Sequence, residues 1–165
     1  MVTSVESFTF TDDGGIPNSR LPVLYYRDVE QARDAASCER LFADHGWSGS
    51  WRNGIYPFHH FHSTSHEVLG IVRGTATVHL GGPAGRAFEV GPGDVLVLPA
   101  GTGHKNDGAS ADLLVVGAYP DAMAWDVRRG DPREHAEVVA NIERVPLPRA
   151  DPVHGEDGPL TERWG

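Results

Sequence analysis

The sequence predicts an all-β chain built as an antiparallel sandwich or barrel. Short apolar runs follow one another from Trp51 to Tyr119, turn signals separate them at close intervals, and no helical pattern lies between them. Twenty Gly and twelve Pro, scattered rather than repeated, suit many short strands joined by tight turns. A length of 165 residues fits one domain with a real apolar core, and a hydrophobic share of 39% is ordinary for a globular chain.

Taken in order, residues 6–11 read as a short strand broken by Asp12-Asp13-Gly14-Gly15, and residues 21–27 as a second. Residues 29–45 carry Ala, Leu and Phe at helical spacing, with Gly46 placed as a stop and Cys38 on the side to be buried. The strands of the barrel then read as residues 54–62, 66–73, 75–80, 86–90, 95–98 and 113–119. Ser63-Thr64-Ser65, Gly81-Gly82-Pro83, Gly91-Pro92-Gly93-Asp94 and Gly101-Thr102-Gly103 make the breaks. Residues 133–144 read as a short helix with Ala136, Val138, Val139 and Ile142 apolar. The tail beyond Val145 carries Pro146, Pro148, Pro152 and Pro159 and no periodicity, which leaves open whether it wraps the barrel or a partner subunit or stays loose.

Charge and cysteine content exclude several classes of function. A formal charge of −9 without any block of Lys or Arg argues against nucleic acid and anionic membranes as partners. No run is long enough to span a membrane, and Glu6, Asp12 and Asp13 sit where a signal peptide needs an apolar core. A single cysteine excludes an internal disulfide and suits a cytoplasmic location. Nucleophilic catalysis has no support, since Cys38 is isolated and no serine sits in a strained Gly-flanked turn.

The histidines carry the chemistry. Six of the nine fall from His59 to His104, and four of these lie within eight residues. His60 and His62 are two apart on one strand and share a face; His59 points the other way. After the Ser63-Thr64-Ser65 turn the next strand brings an acid alongside, and His104 arrives from a separate strand end after a glycine-rich turn. Neutral imidazoles with a carboxylate suit a first-row transition metal. Strand periodicity does not choose between His66 and Glu67, because both faces of that strand are apolar.

Two segments carry a family resemblance. Gly54-Ile55-Tyr56-Pro57-Phe58-His59-His60-Phe61-His62, followed by Glu67 and Gly74, resembles the first cupin motif. Gly93-Asp94-Val95-Leu96-Val97-Leu98-Pro99-Ala100-Gly101-Thr102-Gly103-His104 resembles the second. The match covers about residues 50–120 and departs from the pattern at Gly108, where the second motif usually ends with Asn. The chain is thus similar to compact single-domain bacterial cupins of an uncharacterised group, and the resemblance carries a site rather than a reaction. It implies a double-stranded β-helix, or jelly-roll, barrel with an N-terminal strand-helix extension over 1–49 and a C-terminal helix and Pro-rich tail over 121–165. It also implies His60, His62, Glu67 and His104 as ligands of one divalent metal, with Glu67 resting on the motif alone.

Four protein ligands leave one or two positions open on an ion that accepts five or six, although a closed tetrahedral zinc site is the alternative. Iron, manganese, nickel and zinc all suit this donor set. Strand parity places Tyr56 and Phe58 with His60 and His62, facing inward, and Leu69, Ile71 and Arg73 with Glu67. Leu69 and Ile71 read as core, whereas Arg73 either reaches the rim or pairs with an acid or an anionic ligand. Lys105, the one lysine, is a surface residue or orients an anionic substrate; Trp51 and Tyr119 form an aromatic lid or pack in the core.

Two functions follow. One is a mononuclear metal enzyme of dioxygenase, isomerase or decarboxylase type acting on a small polar or carboxylated molecule. The other is a non-catalytic binding or sensing protein that uses the metal to hold its small-molecule ligand. Family resemblance further implies a homodimer with the N-terminal strands paired across the interface.

Overall fold

A computed structural model describes residues 5–165. Nine strands form two antiparallel sheets, as expected of a jelly-roll barrel. The larger sheet has the order β1-β2-β7-β4-β9-β3, and the smaller β6-β5-β8. In chain order these are β1 (Val5–Phe8), β2 (Val23–Tyr26), β3 (Trp47–Asn53), β4 (Glu67–Arg73), β5 (Ala76–Leu80), β6 (Arg86–Val90), β7 (Val95–Leu98), β8 (His104–Ala109) and β9 (Leu114–Pro120). Three α-helices accompany them, α1 (Ala35–Asp44), α2 (His135–Arg144) and α3 (Pro159–Trp164).

The two sheets differ in what covers them, and their sequences show it. Residues of β5 alternate between buried and half-buried, the pattern of a sheet with one wet face. Strands β2 and β7 are buried at every position because the larger sheet is covered on both sides. Its inner face meets the smaller sheet through Leu69, Ile71, Leu96, Val78 and Phe88. Its outer face packs Val68, Val97 and Val116 against Cys38 and Phe42 of α1 and Trp164 of α3. Gly70 makes that helix contact possible: a Cβ there would lie 2.5 Å from Cys38 Sγ. Cys38 is core, its thiol pushed up to about 12 by burial.

Two expectations change. The helix foreseen over 29–45 is a 3-10 turn (Glu30–Arg33) followed by α1, split where Asp34 leaves helical geometry to accept the Ser37 N–H. The strand foreseen over 54–62 is displaced: β3 ends at Asn53, and residues 54–59 form a loop. Only His60 and Phe61 return to bridge pairing, with His104 and Arg128. The Gly54 and Pro57 that flank Tyr56 supply the reason, since neither sustains a strand interior.

The proline-rich tail closes over the larger sheet. Asp151, fully buried, accepts hydrogen bonds from the N–H groups of Val153, His154 and Leu160 and from the Tyr26 hydroxyl of β2. The Trp47 indole of β3 donates to Ala150 O at 2.9 Å, and that of Trp164 to Pro22 O at 2.9 Å. Asp151→Ala orphans several buried donors and should destabilise the chain by about 3 kcal/mol in denaturant unfolding, against about 1 kcal/mol for Tyr26→Phe.

Candidate metal centre

His60 and His104 are set by a backbone pair at the open end of the barrel. His60 N–H donates to His104 O at 3.1 Å, and His104 N–H returns to His60 O at 2.8 Å. Two residues that exchange both bonds are directly opposite, so their side chains stand together. Their rings lie 4.0 Å apart, and His62 follows with its ring 5.3 Å from that of His104. One nitrogen from each of the three lies within 4.8 Å of the others, and all three residues are buried.

The fourth side chain comes from the first residue of β4. Glu67 shares the inward face with Leu69 and Ile71, and its Oε1 lies 3.3 Å from His62 Nε2 and 3.4 Å from His104 Nε2. His66 faces the other way. It packs against the Trp164 ring, accepts the Ala100 N–H at its Nδ1 and donates from Nε2 to Pro146 O at 3.2 Å. The buried imidazole of His66 is therefore spent on structure.

The proton positions of the three clustered histidines follow from their neighbours. Each Nδ1 meets a backbone carbonyl: Phe58 O for His60, Asp126 O for His62 and Thr102 O for His104. A carbonyl only accepts, so each Nδ1 carries the hydrogen and each neutral ring turns the Nε2 lone pair elsewhere. For His62 and His104 the Nε2 faces the Glu67 carboxylate, donating to it when the ring is protonated and offering a lone pair to a cation when it is neutral. Burial pushes His60 down to about 3, a neutral ring at any ordinary pH. Burial also pulls His62 down, but the carboxylate of Glu67 outweighs it and raises the ring. Burial would lift Glu67 itself, yet His62 and His104 together hold it below the usual carboxylate range. An anionic oxygen surrounded by nitrogen lone pairs is a cation site in its donor chemistry, and these residues fit a divalent metal.

The site opens into a cavity of about 360 Å³ lined by Trp51, Tyr56, Leu69, Tyr119 and Trp125 as well as the four residues above. Trp51 Nε1 donates to the Tyr119 hydroxyl at 2.7 Å. Gly117, opposite Trp51 in the β3–β9 pair, leaves room for that indole, since a Cβ there would lie 2.2 Å from its ring. Tyr119 stacks on Trp125 with ring centres 5.4 Å apart.

Of the other residues singled out in the sequence, Trp51, Tyr56 and Tyr119 line this cavity, while Phe58, Arg73 and Lys105 do not. Because 54–59 is a loop, strand parity does not place Phe58; it stacks on Tyr56 beneath the Arg129 guanidinium. A register shift between Ile71 and Arg73 turns Arg73 out to the surface, where it donates to Asp112 O. Lys105 pairs with Asp107 at 3.0 Å on the outer side of β8. His59 lies outside the cluster, edge to face with His79.

Sequence reasoning missed the loop over 121–131. Asp126 accepts from Ser63 N–H and Oγ and from Arg128, which also pairs with Glu134 and Glu137. Phe61 and Arg128 exchange backbone bonds at 2.9 Å, so the strand carrying His60 and His62 is clamped between His104 and this loop. The alternation Trp125-Asp126-Val127-Arg128 was the available signal.

Residues 52–117 match the cupin domain. Over 165 residues the chain is 40% identical to the uncharacterized protein YjlB of Bacillus subtilis (strain 168), spanning 99% of each. The chain belongs to the cupin family. Among solved structures, this cupin is similar to a cupin 2 domain-containing protein from Halorhodospira halophila, at 16% identity and TM-score 0.38, covering 86% of this chain and 81% of that one. It is also similar to procruciferin, an 11S globulin from Brassica napus, at 15% identity and TM-score 0.40, covering 88% of this chain and 33% of that one.

The burial of His66 has a pH consequence. Burial pushes its ring down to about 4 from the usual 6.5. The unfolded chain therefore takes up a proton that the folded one refuses, and stability present above about pH 6.5 is lost as pH falls toward 4. Urea unfolding at pH 7.5 and pH 5 should show about 2 kcal/mol less acid loss in His66→Gln than in the parent chain.

Proposed function

We propose that this cupin is a mononuclear divalent-metal enzyme acting on a small molecule, with His60, His62, Glu67 and His104 as the protein ligands. One observation carries the proposal: three imidazoles whose Nδ1 atoms are engaged by carbonyls share a centre with a buried carboxylate at the base of an open cavity. A structural ion needs no cavity, whereas an open coordination position does. When bound, the metal would supply Lewis-acid or redox activation of a substrate oxygen.

The chain's own residues divide the remaining work. The carbonyls of Phe58, Thr102 and Asp126 fix the tautomer and orientation of the three rings. Trp51, Tyr119 and Trp125 form one side of the cavity. We also propose a homodimer, which light scattering in solution tests directly; a monomeric mass removes it.

Elemental analysis of purified protein should give one divalent metal per chain, and His62→Ala should lose it. Unchanged metal in that variant overturns the ligand set. Asp126→Ala leaves all four donors in place but frees the loop that orients His62, so metal affinity should fall about 10- to 100-fold in competition with a chelator. Turnover separates enzyme from binder: conversion of any metabolite in an extract screened by mass spectrometry excludes the binding-only role. Oxygen uptake by the iron-loaded chain with such a metabolite marks redox chemistry, and conversion without uptake marks Lewis-acid chemistry.

A further inference from the structure

The walls of the metal cavity restrict what can enter it. Among the described residues, neither lysine nor arginine lines the cavity, and the two basic residues closest in sequence to the ligands' strands, Arg73 and Lys105, are turned away from it. The one charged wall residue is Glu67. Apart from Asn53, Gly54, Ile55, Pro57 and Leu69 the neutral lining is aromatic, and Tyr56, Tyr119 and Trp125 belong to two stacked pairs in which Phe58 backs Tyr56 from outside the lining. Tyr56 and Phe58 are 5.0 Å apart beside His60, and Tyr119 and Trp125 are 5.4 Å apart beside His62. Tyr56 and Trp125 are 48% and 42% exposed, although large aromatic side chains are usually covered. Both border the opening, and each has one face stacked on its neighbour, which leaves the other face to an incoming ring.

Charge balance sets the second restriction. A divalent ion beside one carboxylate leaves a single positive charge in a cavity whose lining holds neither Lys nor Arg; the nearest guanidinium, Arg129, lies over the Phe58 ring outside that lining. A singly charged chelating ligand cancels it. A dicarboxylate leaves a net negative charge without a partner in an apolar enclosure, inside a chain whose own formal charge is −9.

We propose that the ligand of this site is a planar conjugated molecule that binds through two adjacent oxygens as a single anion and carries no further charged group. The inference rests on the metal reading above. It also decides between the substrate classes open from the sequence, against carboxylated molecules that need a cationic side chain. Recognition comes from the ion on one edge and from Tyr56 and Trp125 on the ring faces.

The test uses the full chain loaded with zinc, its metal content fixed by elemental analysis before and after titration. Maltol, a planar singly charged oxygen chelator, and malonate, a flexible dianion, are the probes, and calorimetry reads their affinities. Maltol should bind at least about tenfold tighter than malonate. Trp125→Ala should weaken maltol about tenfold more than it weakens malonate, with zinc content read in the same variant. Tyr56→Ala, at an equally peripheral position, provides an independent second variant with the same expected loss. Malonate binding as tightly as maltol, or maltol affinity untouched in both variants, overturns the proposal. Absence of zinc from the loaded parent chain defeats the metal reading itself and is seen before any probe is added.

Discussion

The arrangement at the open end of the barrel depends on keeping an ionised carboxylate inside an apolar fold. Burying such a group alone costs many kcal/mol, and Glu67 has no Lys or Arg among its near neighbours to offset that cost. Its surroundings are the Tyr119 hydroxyl and the imidazoles of His60, His62 and His104, whose Nδ1 hydrogens are committed to backbone carbonyls. The cluster is therefore incomplete as a hydrogen-bonded network. A proton shared with His62 relieves it in part, which is the sense in which the Glu67 carboxylate raises that ring. A divalent cation would satisfy all four donors at once, and it is the demand for that cation that gives the surrounding second contacts their purpose.

Those contacts come from chain segments far apart in sequence. The His60–His104 bridge aligns two donors through backbone bonds alone, so it tolerates changes in the side chains around it. His62 depends instead on Asp126, a residue of a loop that is tied to α2 through Arg128 and through Asn141, which donates to Ser63 Oγ. Glu67 depends on the register of β4 between β7 and β9. That strand is fixed from behind by α1, which fits because Gly70 carries no Cβ. The rigidity of the centre is thus borrowed from three layers: the barrel, the loop over it and the helix behind it.

Sequence reading was strongest where one periodicity acted alone. Strands β5 and β6 of the smaller sheet, with one wet face, alternate and were legible as strands, whereas β8 of the same sheet does not alternate and was not foreseen. The choice between His66 and Glu67 was not, because β4 is buried on both faces and each side chain has an apolar partner set. Only the neighbours decide it: Trp164 and Pro146 of the tail claim His66, and the tail has no periodic signal of its own. The displaced strand at 54–62 failed for a related reason. Its composition is strand-like, but Gly54 and Pro57 break it and the pairing partner of β9 lies earlier, at Trp47–Asn53. Parity counted along a loop carries no information about facing, so Phe58 could not be placed from the sequence, while His60 and His62 kept their common face through the bridge at His60.

The same displacement explains the chemistry of the mouth. Had residues 54–62 run as a strand, Tyr56 would have been locked into the wall with the histidines. As a loop, the segment projects Tyr56 to the rim, where it stacks on Phe58 and stands edge to face with His60. On the other side the loop over 121–131 brings Trp125 to a matching position against Tyr119 and His62. Asp121 and Ala122, both with positive φ, open that loop and redirect the chain from β9 toward the mouth. Two irregular segments therefore supply the aromatic surface, while the regular strands supply Glu67, His104 and the apolar floor. Such a division lets the cavity walls vary without disturbing the register on which the buried carboxylate depends.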